Sequence, residues 1–275
     1  MSVTAHSEFV LVDRPRPHVA LITLNRPERM NSMAFDVMLP LREVLRQITD
    51  DNDVRAVVLT GAGAGFSSGA DHKSAGAVPN VAGLTRPGFG LRTMEILDEV
   101  ILGLRRLHQP VIAAVNGAAI GGGLCLALAC DIRVASPDAY FRAAGINNGL
   151  TASELGLSYL LPRAIGTSRA FELMLTGRDV DAPEAERIGL VSRLVPAQDL
   201  IGECVTMGER IAGFSRPGVE LTKRTLWSGL DAGSLESHMQ AEGLGQLYVR
   251  LLTANFEEAV AARAQGRAPK FTDDK

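Results

Sequence analysis

The feature that most constrains the fold is a pair of continuous apolar runs, each leading into glycines. Residues 54–60 read VRAVVLT and residues 111–115 read VIAAV, and such runs are typical of strands buried on both faces of a parallel sheet. The first run is followed by GAGAG at residues 61–65, and the second leads to GGG at residues 121–123, where a helix is predicted to begin. Helical periodicity between the two runs completes the strand–helix units. This order predicts an α/β fold.

The remaining segments predict a hairpin before these units and helices after them. Residues 9–12 and 19–24 are short β-rich runs, and the proline-rich residues 13–17 between them predict a turn. Residues 78–90 are rich in glycine and proline and predict a mobile loop before a helix at residues 91–107. The final third of the chain has helical periodicity throughout, without a linker that would mark an independent unit.

Composition excludes several classes of function. With 28 Lys and Arg against 31 Asp and Glu, the net charge is -3, so no basic field exists to bind nucleic acid. Cys125, Cys130 and Cys204 form no CxxC pair and predict neither a zinc site nor a disulfide framework. The N-terminus lacks an apolar signal core, and the most apolar stretch, residues 111–129, is interrupted by Asn116 and by glycines. We therefore expect a cytoplasmic protein with no metal and no membrane partner.

Two glycine-containing segments offer backbone N–H groups to a ligand. Residues 66–71 read FSSGAD, and a glycine just past a buried strand lets the backbone come close to a ligand. Residues 116–124 read NGAAIGGGL, and glycines at a helix start expose unpaired donors at the positive end of the helix dipole. Such a place suits a carboxylate, a phosphate or a developing oxyanion. Taken alone, the first segment is also compatible with a tight turn, and the second with close packing of a helix on a strand.

Four segments together resemble the enoyl-CoA hydratase/isomerase (crotonase) family. They are LNRP at residues 24–27 with Asn31, residues 61–71, residues 110–135 with CDIR at 130–133, and LTG at residues 175–177 followed by residues 185–191. The resemblance covers most of the chain. It implies an α/β fold with a crotonase-like ββα spiral over residues 1–200, and a helical C-terminal subdomain over residues 201–275 that serves as a trimerisation and lid region. It also implies a homotrimer or a dimer of trimers.

The resemblance further implies an acyl-CoA thioester as the substrate, with coenzyme A present only as part of that thioester and no separate cofactor. The thioester oxygen would accept hydrogen bonds from the N–H groups of Ala70 and Gly122, which would stabilise an enolate-like oxyanion. The other substrate-contacting positions that it implies follow the LNRP motif, surround the oxyanion loop and lie in the tail: Glu28, Arg29, Met30, Ser68, Gly69, Asp71, His72, Lys270 and Phe271. Of these, His72 could donate a proton to the thioester or face solvent.

The chain departs from the family at the two positions where hydratases carry the glutamates that activate water. Cys125 and Gly145 occupy these positions, so both are expected to border the substrate without supplying a carboxylate. Cys125 is a poor substitute for a glutamate, and its simpler interpretation is a small buried residue. Water activation by the usual pair of carboxylates is therefore not expected.

One carboxylate remains nearby. Counted backwards from LPR at residues 161–163, Glu154 falls where isomerases of the family place a catalytic Asp, whereas counted forwards from Phe141 the position falls on Ser153. A single carboxylate suffices to move a proton between the carbons of an enolate. The alternative is that Glu154 charges the first turn of the following helix, with Ser153 as its N-cap.

Three functional hypotheses follow. The leading one is a hydratase-like or isomerase-like enzyme that acts on acyl-CoA through a thioester enolate, and the two missing glutamates favour isomerisation or an unusual substrate over ordinary hydration. The second is a non-catalytic acyl-CoA-binding protein, which would be favoured if Glu154 pointed away from the N–H groups of Ala70 and Gly122. The third is thioester hydrolysis, decarboxylation or dehalogenation, for which the sequence offers no clear nucleophile.

Overall fold

The architecture is given by a computed structural model, which describes residues 7–71 and 73–273. The strands are β1 Val10–Arg16, β2 Val19–Leu24, β3 Ala56–Gly61, β4 Gly65–Ser67, β5 Val111–Val115, β6 Ala118–Ile120, β7 Ile132–Ala135, β8 Tyr140–Arg142, β9 Val180–Asp181 and β10 Arg193–Leu194. The helices are α1 Phe35–Asp50, α2 Arg86–Arg106, α3 Gly122–Ala129, α4 Leu157–Ile165, α5 Thr167–Thr176, α6 Ala182–Arg187, α7 Leu200–Ala212, α8 Arg216–Gly229, α9 Leu235–Leu252 and α10 Asn255–Ala264.

The central feature is a six-stranded sheet in the order β1-β2-β3-β5-β7-β10. Only β1 and β2 pair antiparallel, and the other neighbours run parallel. Every residue of β3 and of β5 is buried, as expected for parallel strands covered on both faces. The prediction of an α/β fold is confirmed.

Helices cover both faces of this sheet because alternate strand residues point in opposite directions. On one face, Val58 and Ile112 pack with Leu200 and Cys204 of α7. On the other face, the neighbouring strand residues belong to the larger core that includes α1 and α2. The sheet is thus the middle layer of a three-layer arrangement.

A second, smaller sheet has the order β4-β6-β8-β9. The chain enters it from the first sheet three times, since β4 follows β3, β6 follows β5 and β8 follows β7 after only a few residues. The segments that leave β4 and β6 are the two glycine-containing segments of the sequence. The second sheet therefore brings together two parts of the chain that are about 50 residues apart.

Two local predictions were wrong. The proline-rich residues 13–17 were expected to form a turn, but β1 extends to Arg16 and the reversal occurs at Pro17 and His18, where His18 has a φ of 63°. Proline is tolerated there because β1 is an edge strand. The loop expected to reach residue 90 ends earlier, because α2 begins at Arg86, where Thr85 accepts a hydrogen bond from the N–H of Gly88.

A buried ion pair attaches α8 to the core. Lys223 of α8 lies 2.8 Å from the carboxylate of Asp131 and donates to the carbonyl of Gln109 at 2.9 Å. Trp227 donates to the same carboxylate at 2.6 Å, and Asp131 also accepts from the N–H of Val111. These contacts give Asp131 a structural role. Among the described helices, none combines the length and apolar character that crossing a bilayer requires.

Candidate functional site

The site is formed where the two glycine-containing segments touch. Met33, just before α1, pairs with Ala70 in a parallel bridge, and its N–H donates to the carbonyl of Gly69 at 2.7 Å. Gly69 has a φ of 79°, and a Cβ atom there would lie 2.5 Å from the carbonyl of Ile120 and 3.1 Å from the nitrogen of Gly122. Only glycine fits this contact. The segment of residues 66–71 and the start of α3 are therefore directly in contact.

Two backbone N–H groups at this contact lack partners within the described chain. Helix α3 begins at Gly122, so the N–H of Gly122 belongs to the first turn, where no intrahelical acceptor exists. In the bridge with Met33 it is the carbonyl of Gly69 that accepts, and no described residue accepts from the N–H of Ala70. A pair of free donors beside a helix start can hold a negatively charged oxygen.

The glycine run at the start of α3 packs against its surroundings without room for side chains. A Cβ at Gly122 would lie 2.3 Å from the sulfur of Met33, and one at Gly123 would lie 2.1 Å from the carbonyl of Ser67. Met33 is buried and has no counterpart among the residues singled out from the sequence. Its place shortly after Asn31, where the chain contacts residues 66–71, is the sequence feature that could have identified it.

Glu154 faces this contact. Its Oε1 lies 3.2 Å from the point that a Cβ of Gly121 would occupy, and Gly121 immediately precedes the N–H of Gly122. Ser153 is exposed, whereas Glu154 is half-buried. The expected role of Ser153 as a helix N-cap is wrong, because α4 begins only at Leu157 and its N-cap is Gly156. Glu154 thus places its carboxylate beside Gly121, the residue that precedes Gly122.

Cys125 and Gly145 both lie close to the segment that carries Glu154. The Cys125 thiol is fully buried and donates to the carbonyl of Glu154 at 3.5 Å. Burial, with a smaller contribution from the charge of Glu154, raises the pKa of Cys125 well above its usual range, so the thiol stays protonated. At Gly145 a Cβ would lie 2.0 Å from the carbonyl of Thr151, so no side chain fits there.

Asn31 fixes the loop after LNRP against the glycine-rich residues 61–65. The Asn31 side chain accepts from the N–H of Arg26 at 2.8 Å and donates to the carbonyls of Ala62 and Gly65 at 2.9 and 2.7 Å. It is fully buried and has a φ of 52°. Nearby, the N–H of Ser68 donates to the carbonyl of Met30. The structure therefore brings positions 28–30 and 68–71 together.

Asp71 organises this junction. Its carboxylate binds Arg29, accepts from the Ser32 hydroxyl at 2.9 Å, and accepts from the N–H groups of Lys73 and Ser74 at 2.9 and 2.8 Å. Burial alone would raise the pKa of Asp71, but the hydrogen bonds from Arg29 and from the two N–H groups hold it well below its usual range. Asp71 is therefore an anion that joins the segment of residues 66–71 to Arg29 and Ser32.

Replacing Asp71 by Asn should lower the free energy of unfolding by about 2 kcal/mol at neutral pH. The expected loss is smaller than that of a fully buried pair, because Arg29 remains partly in water. Since folding lowers the pKa of Asp71, its contribution to the free energy of unfolding is complete above the unfolded-state pKa of about 3.9 and is lost as the pH falls through the folded-state pKa.

Urea unfolding at neutral and acidic pH should show that the free energies of unfolding of the two proteins become equal in acid. The exposed neighbour Glu28, changed to Gln, is the control, and a constant difference across pH would contradict this assignment.

The remaining predicted substrate contacts fall into two groups. Glu28 and Met30 are exposed beside Arg29, where a large ligand could reach them. Lys270 and Phe271 instead contact the C-terminal helices. The N–H of Lys270 donates to Glu258 at 2.7 Å, and Phe271 lines an apolar cavity of about 710 Å³ together with residues of α7 and α8. His72 lies outside the described residues.

Metal ligation finds no support in the described part of the chain, which holds no cluster of three or more His, Cys, Asp or Glu side chains suited to an ion. The chemistry available at the contact between the glycine segments is therefore that of two N–H donors and one carboxylate. Gly121 is a functional position that the sequence did not single out by itself. It is the first glycine of GGG, it has a φ of 52°, and its missing side chain leaves space for the Glu154 carboxylate.

Comparison with known proteins shows the same fold and family. The enoyl-CoA hydratase/isomerase family model matches residues 15–274. A probable enoyl-CoA hydratase, echA12, from Mycobacterium bovis is 80% identical over 266 residues, covering 97% of this chain and 93% of the relative. The solved structure of a probable enoyl-CoA hydratase/isomerase from Mycobacterium abscessus is 74% identical with a TM-score of 0.93, and covers 97% of this chain and all (100%) of that one.

A second solved structure is that of a monofunctional enoyl CoA isomerase from M. smegmatis. It is 70% identical with a TM-score of 0.73, and it covers 85% of this chain and 99% of its own. These matches confirm the resemblance and the crotonase-like α/β fold that it implied. The chain belongs to the enoyl-CoA hydratase/isomerase family.

Proposed function

We propose that the chain is an acyl-CoA isomerase that moves a carbon–carbon double bond from the 3,4 to the 2,3 position of an enoyl-CoA thioester. The observation that carries the proposal is the place of Glu154, whose Oε1 lies beside Gly121 and hence next to the unpaired N–H of Gly122. A carboxylate next to an oxyanion site is what proton transfer through an enolate requires. The similarity to a structure described as a monofunctional enoyl CoA isomerase supports the same reaction.

In the proposed reaction, the thioester oxygen accepts hydrogen bonds from the N–H groups of Ala70 and Gly122. Glu154 removes a proton from C2, and the electrons of the C2–H bond form a C1–C2 double bond while negative charge moves to the oxygen. The enolate then collapses: the C1–O double bond returns, a C2–C3 double bond forms, and the electrons of the former C3–C4 double bond take the proton from Glu154 at C4. No atom is gained or lost, so one carboxylate is sufficient.

Hydration by the usual pair of carboxylates is disfavoured by the two positions that lack them. Cys125 is buried and protonated, and it is engaged with the backbone of Glu154. Gly145 is in contact with the backbone of Thr151, which leaves no space for a second acid. The non-catalytic binding alternative required Glu154 to point away from the donors, and the orientation of Glu154 toward Gly121 argues against it.

The coenzyme A moiety is proposed to lie along the first loop, where Arg29 and the exposed Glu28 and Met30 border the oxyanion loop. Ser68, Gly69 and Asp71 would shape the passage from that loop to the thioester. Lys270 and Phe271 would contact the coenzyme A moiety only from the C-terminal region, either of this subunit or of a neighbouring one. A cytoplasmic location is supported by the three free and buried cysteines, which suit a reducing compartment.

The test is to incubate the protein with matched 3-enoyl- and 2-enoyl-CoA thioesters and to identify the products by chromatography and mass. We expect 3-enoyl-CoA to be converted into 2-enoyl-CoA of unchanged mass. We expect little gain of water from 2-enoyl-CoA. Rapid formation of 3-hydroxyacyl-CoA would show a hydratase instead, and tight binding without turnover would show an acyl-CoA-binding protein.

We also propose that the chain assembles as a homotrimer or a dimer of trimers. Helix α9 has no buried residue, although it carries a series of exposed apolar side chains: Leu235, Met239, Leu244, Leu247, Tyr248, Leu251 and Leu252. An apolar surface this extensive is typical of a protein–protein interface. Residues 201–275 would then form the assembly and lid region.

Sedimentation equilibrium should therefore give a mass of three or six chains. Changing Leu244 and Leu251 to Glu should shift the protein toward the monomer, because both side chains are exposed on α9 and a charge there would be buried on assembly. Exchanging the exposed Glu236 of the same helix for Gln is the matched control. A wild-type monomer at micromolar concentration would contradict the prediction.

A further inference from the structure

The segment from Gly145 to Glu154 is held at both ends by contacts that the proposed reaction does not use. We propose that Cys125 and Gly145 are positioning residues that together clamp this segment and so fix Glu154 beside the oxyanion donors. This inference rests on the proposed function, because it concerns the placement of the proposed base. It assigns a role to the two positions where the carboxylates of hydratases are missing.

The first end of the clamp is at Gly145. The chain forms a short 3-10 helix from Ile146 to Asn148 and then folds back, so that the N–H of Leu150 donates to the carbonyl of Gly145 at 3.0 Å. The carbonyl of Thr151 comes within 2.0 Å of the position of a Cβ at Gly145. Its φ of -52° is ordinary, so glycine is required there by space and not by backbone conformation.

The second end of the clamp is at Cys125. The carbonyl of Glu154 accepts two hydrogen bonds, one from the N–H of Leu157 at 2.7 Å and one from the Cys125 thiol at 3.5 Å. The first bond is local, whereas the second joins the segment to α3. Cys125 is fully buried, so no water competes for this bond.

The clamp couples the base to the oxyanion donor through a single helical turn. The N–H of Cys125 donates to the carbonyl of Gly121 at 3.1 Å, which closes the first turn of α3. That turn contains Gly122, whose N–H is the proposed donor, and Gly121, which lies against the Glu154 carboxylate. The distance between donor and base is therefore set by one rigid element, as proton transfer to an enolate demands.

The clamp also predicts how the site responds to a restored carboxylate. A Glu at position 145 would displace the backbone of Thr151, three residues before Glu154, before its own carboxylate could serve. The change Gly145→Glu should thus lose isomerase turnover without gaining hydration. In this chain, the contact between Gly145 and the Thr151 carbonyl both excludes a second acid and positions Glu154.

The main test compares Cys125→Ala with Cys130→Ala. Both cysteines are buried on or next to α3 and donate to a carbonyl, but Cys130 donates to Leu126 within α3 at 3.3 Å, whereas Cys125 donates to Glu154. We expect both variants to lose similar thermal stability. Only Cys125→Ala should lower kcat for the double-bond shift, by about tenfold with KM within about twofold, and Cys125→Ser should restore part of it.

The second test is Gly145→Ala, with Gly202→Ala as its control because a Cβ at Gly202 meets no atom within 4 Å. We expect kcat to fall about tenfold for Gly145→Ala only. Wild-type kcat in both Cys125→Ala and Gly145→Ala would overturn the clamp while leaving the proposed function intact. Should the wild-type protein turn over no enoyl-CoA, the proposed function fails. Crystal structures of the two variants then decide the clamp, and an unmoved Glu154 carboxylate overturns it.

Discussion

Replacing Glu154 by Gln is expected to lower kcat for the conversion of 3-enoyl-CoA to 2-enoyl-CoA by about a thousandfold. Gln keeps the shape of the side chain but cannot accept the C2 proton. Its backbone carbonyl accepts hydrogen bonds from Leu157 and from Cys125, and the substitution leaves these bonds in place. KM should change little, since the thioester oxygen would still bind the N–H groups of Ala70 and Gly122.

The matched control is Ser153→Ala, because Ser153 is the neighbouring candidate that the sequence could not separate from Glu154. Ser153 is exposed, and its carbonyl rather than its hydroxyl accepts a hydrogen bond from Thr151. We expect wild-type kcat for Ser153→Ala. Glu154→Asp should retain intermediate activity, since the carboxylate is kept but withdrawn by one methylene. Equal turnover of wild type and Glu154→Gln would eliminate Glu154 as the base.

The two glycine-containing segments could be located from sequence because their signal is local. Buried strand runs ended by glycines predict both where the chain leaves the sheet and where backbone N–H groups remain unpaired. The helix start at Gly122 was expected from GGG, and the structure begins α3 at that residue. What the pattern could not show is that Gly69 and Gly122 touch, since this depends on β4 and β6 pairing in the second sheet.

The second sheet itself escaped prediction. Its strands β4, β6 and β8 have only three residues each, too few to show an alternating pattern. In β1 the opposite error arose, because Pro15 resembles a turn residue although an edge strand tolerates proline. In both cases the deciding factor is the position of the strand in the sheet, which local sequence does not encode.

The place of Glu154 could not be settled from sequence for a related reason. Counting from Phe141 and counting from residues 161–163 give registers that differ by one residue. The register is fixed by the fold of residues 145–154, which depends on the contact between Gly145 and the Thr151 carbonyl and on the bond from Cys125. These are tertiary contacts of small residues, and neither contact produces a periodic or compositional pattern in the sequence.

Replacing Gly122 by Pro is expected to lower kcat by about a hundredfold relative to Gly122→Ala. Proline removes the N–H proposed to bind the oxyanion, yet it suits the first position of a helix, and Gly122 occupies that position in α3. Both substitutions introduce a Cβ 2.3 Å from the Met33 sulfur, at the flexible part of that side chain. Because both variants carry the Cβ, the difference in kcat between them reports the loss of the N–H and not the effect of that atom.

The kinetic pattern identifies what the N–H does. A donor aimed at the charged oxygen of the enolate stabilises the transition state more than the bound thioester, so Gly122→Pro should lower kcat and kcat/KM together. Loss of a donor that binds the thioester and the transition state equally well would instead raise KM and leave kcat unchanged. If Gly122→Pro and Gly122→Ala had the same kcat, Gly122 would not be an oxyanion donor. Glu154 would then have to act on a thioester held in some other way, because a carboxylate alone does not make the C2 proton acidic enough to leave.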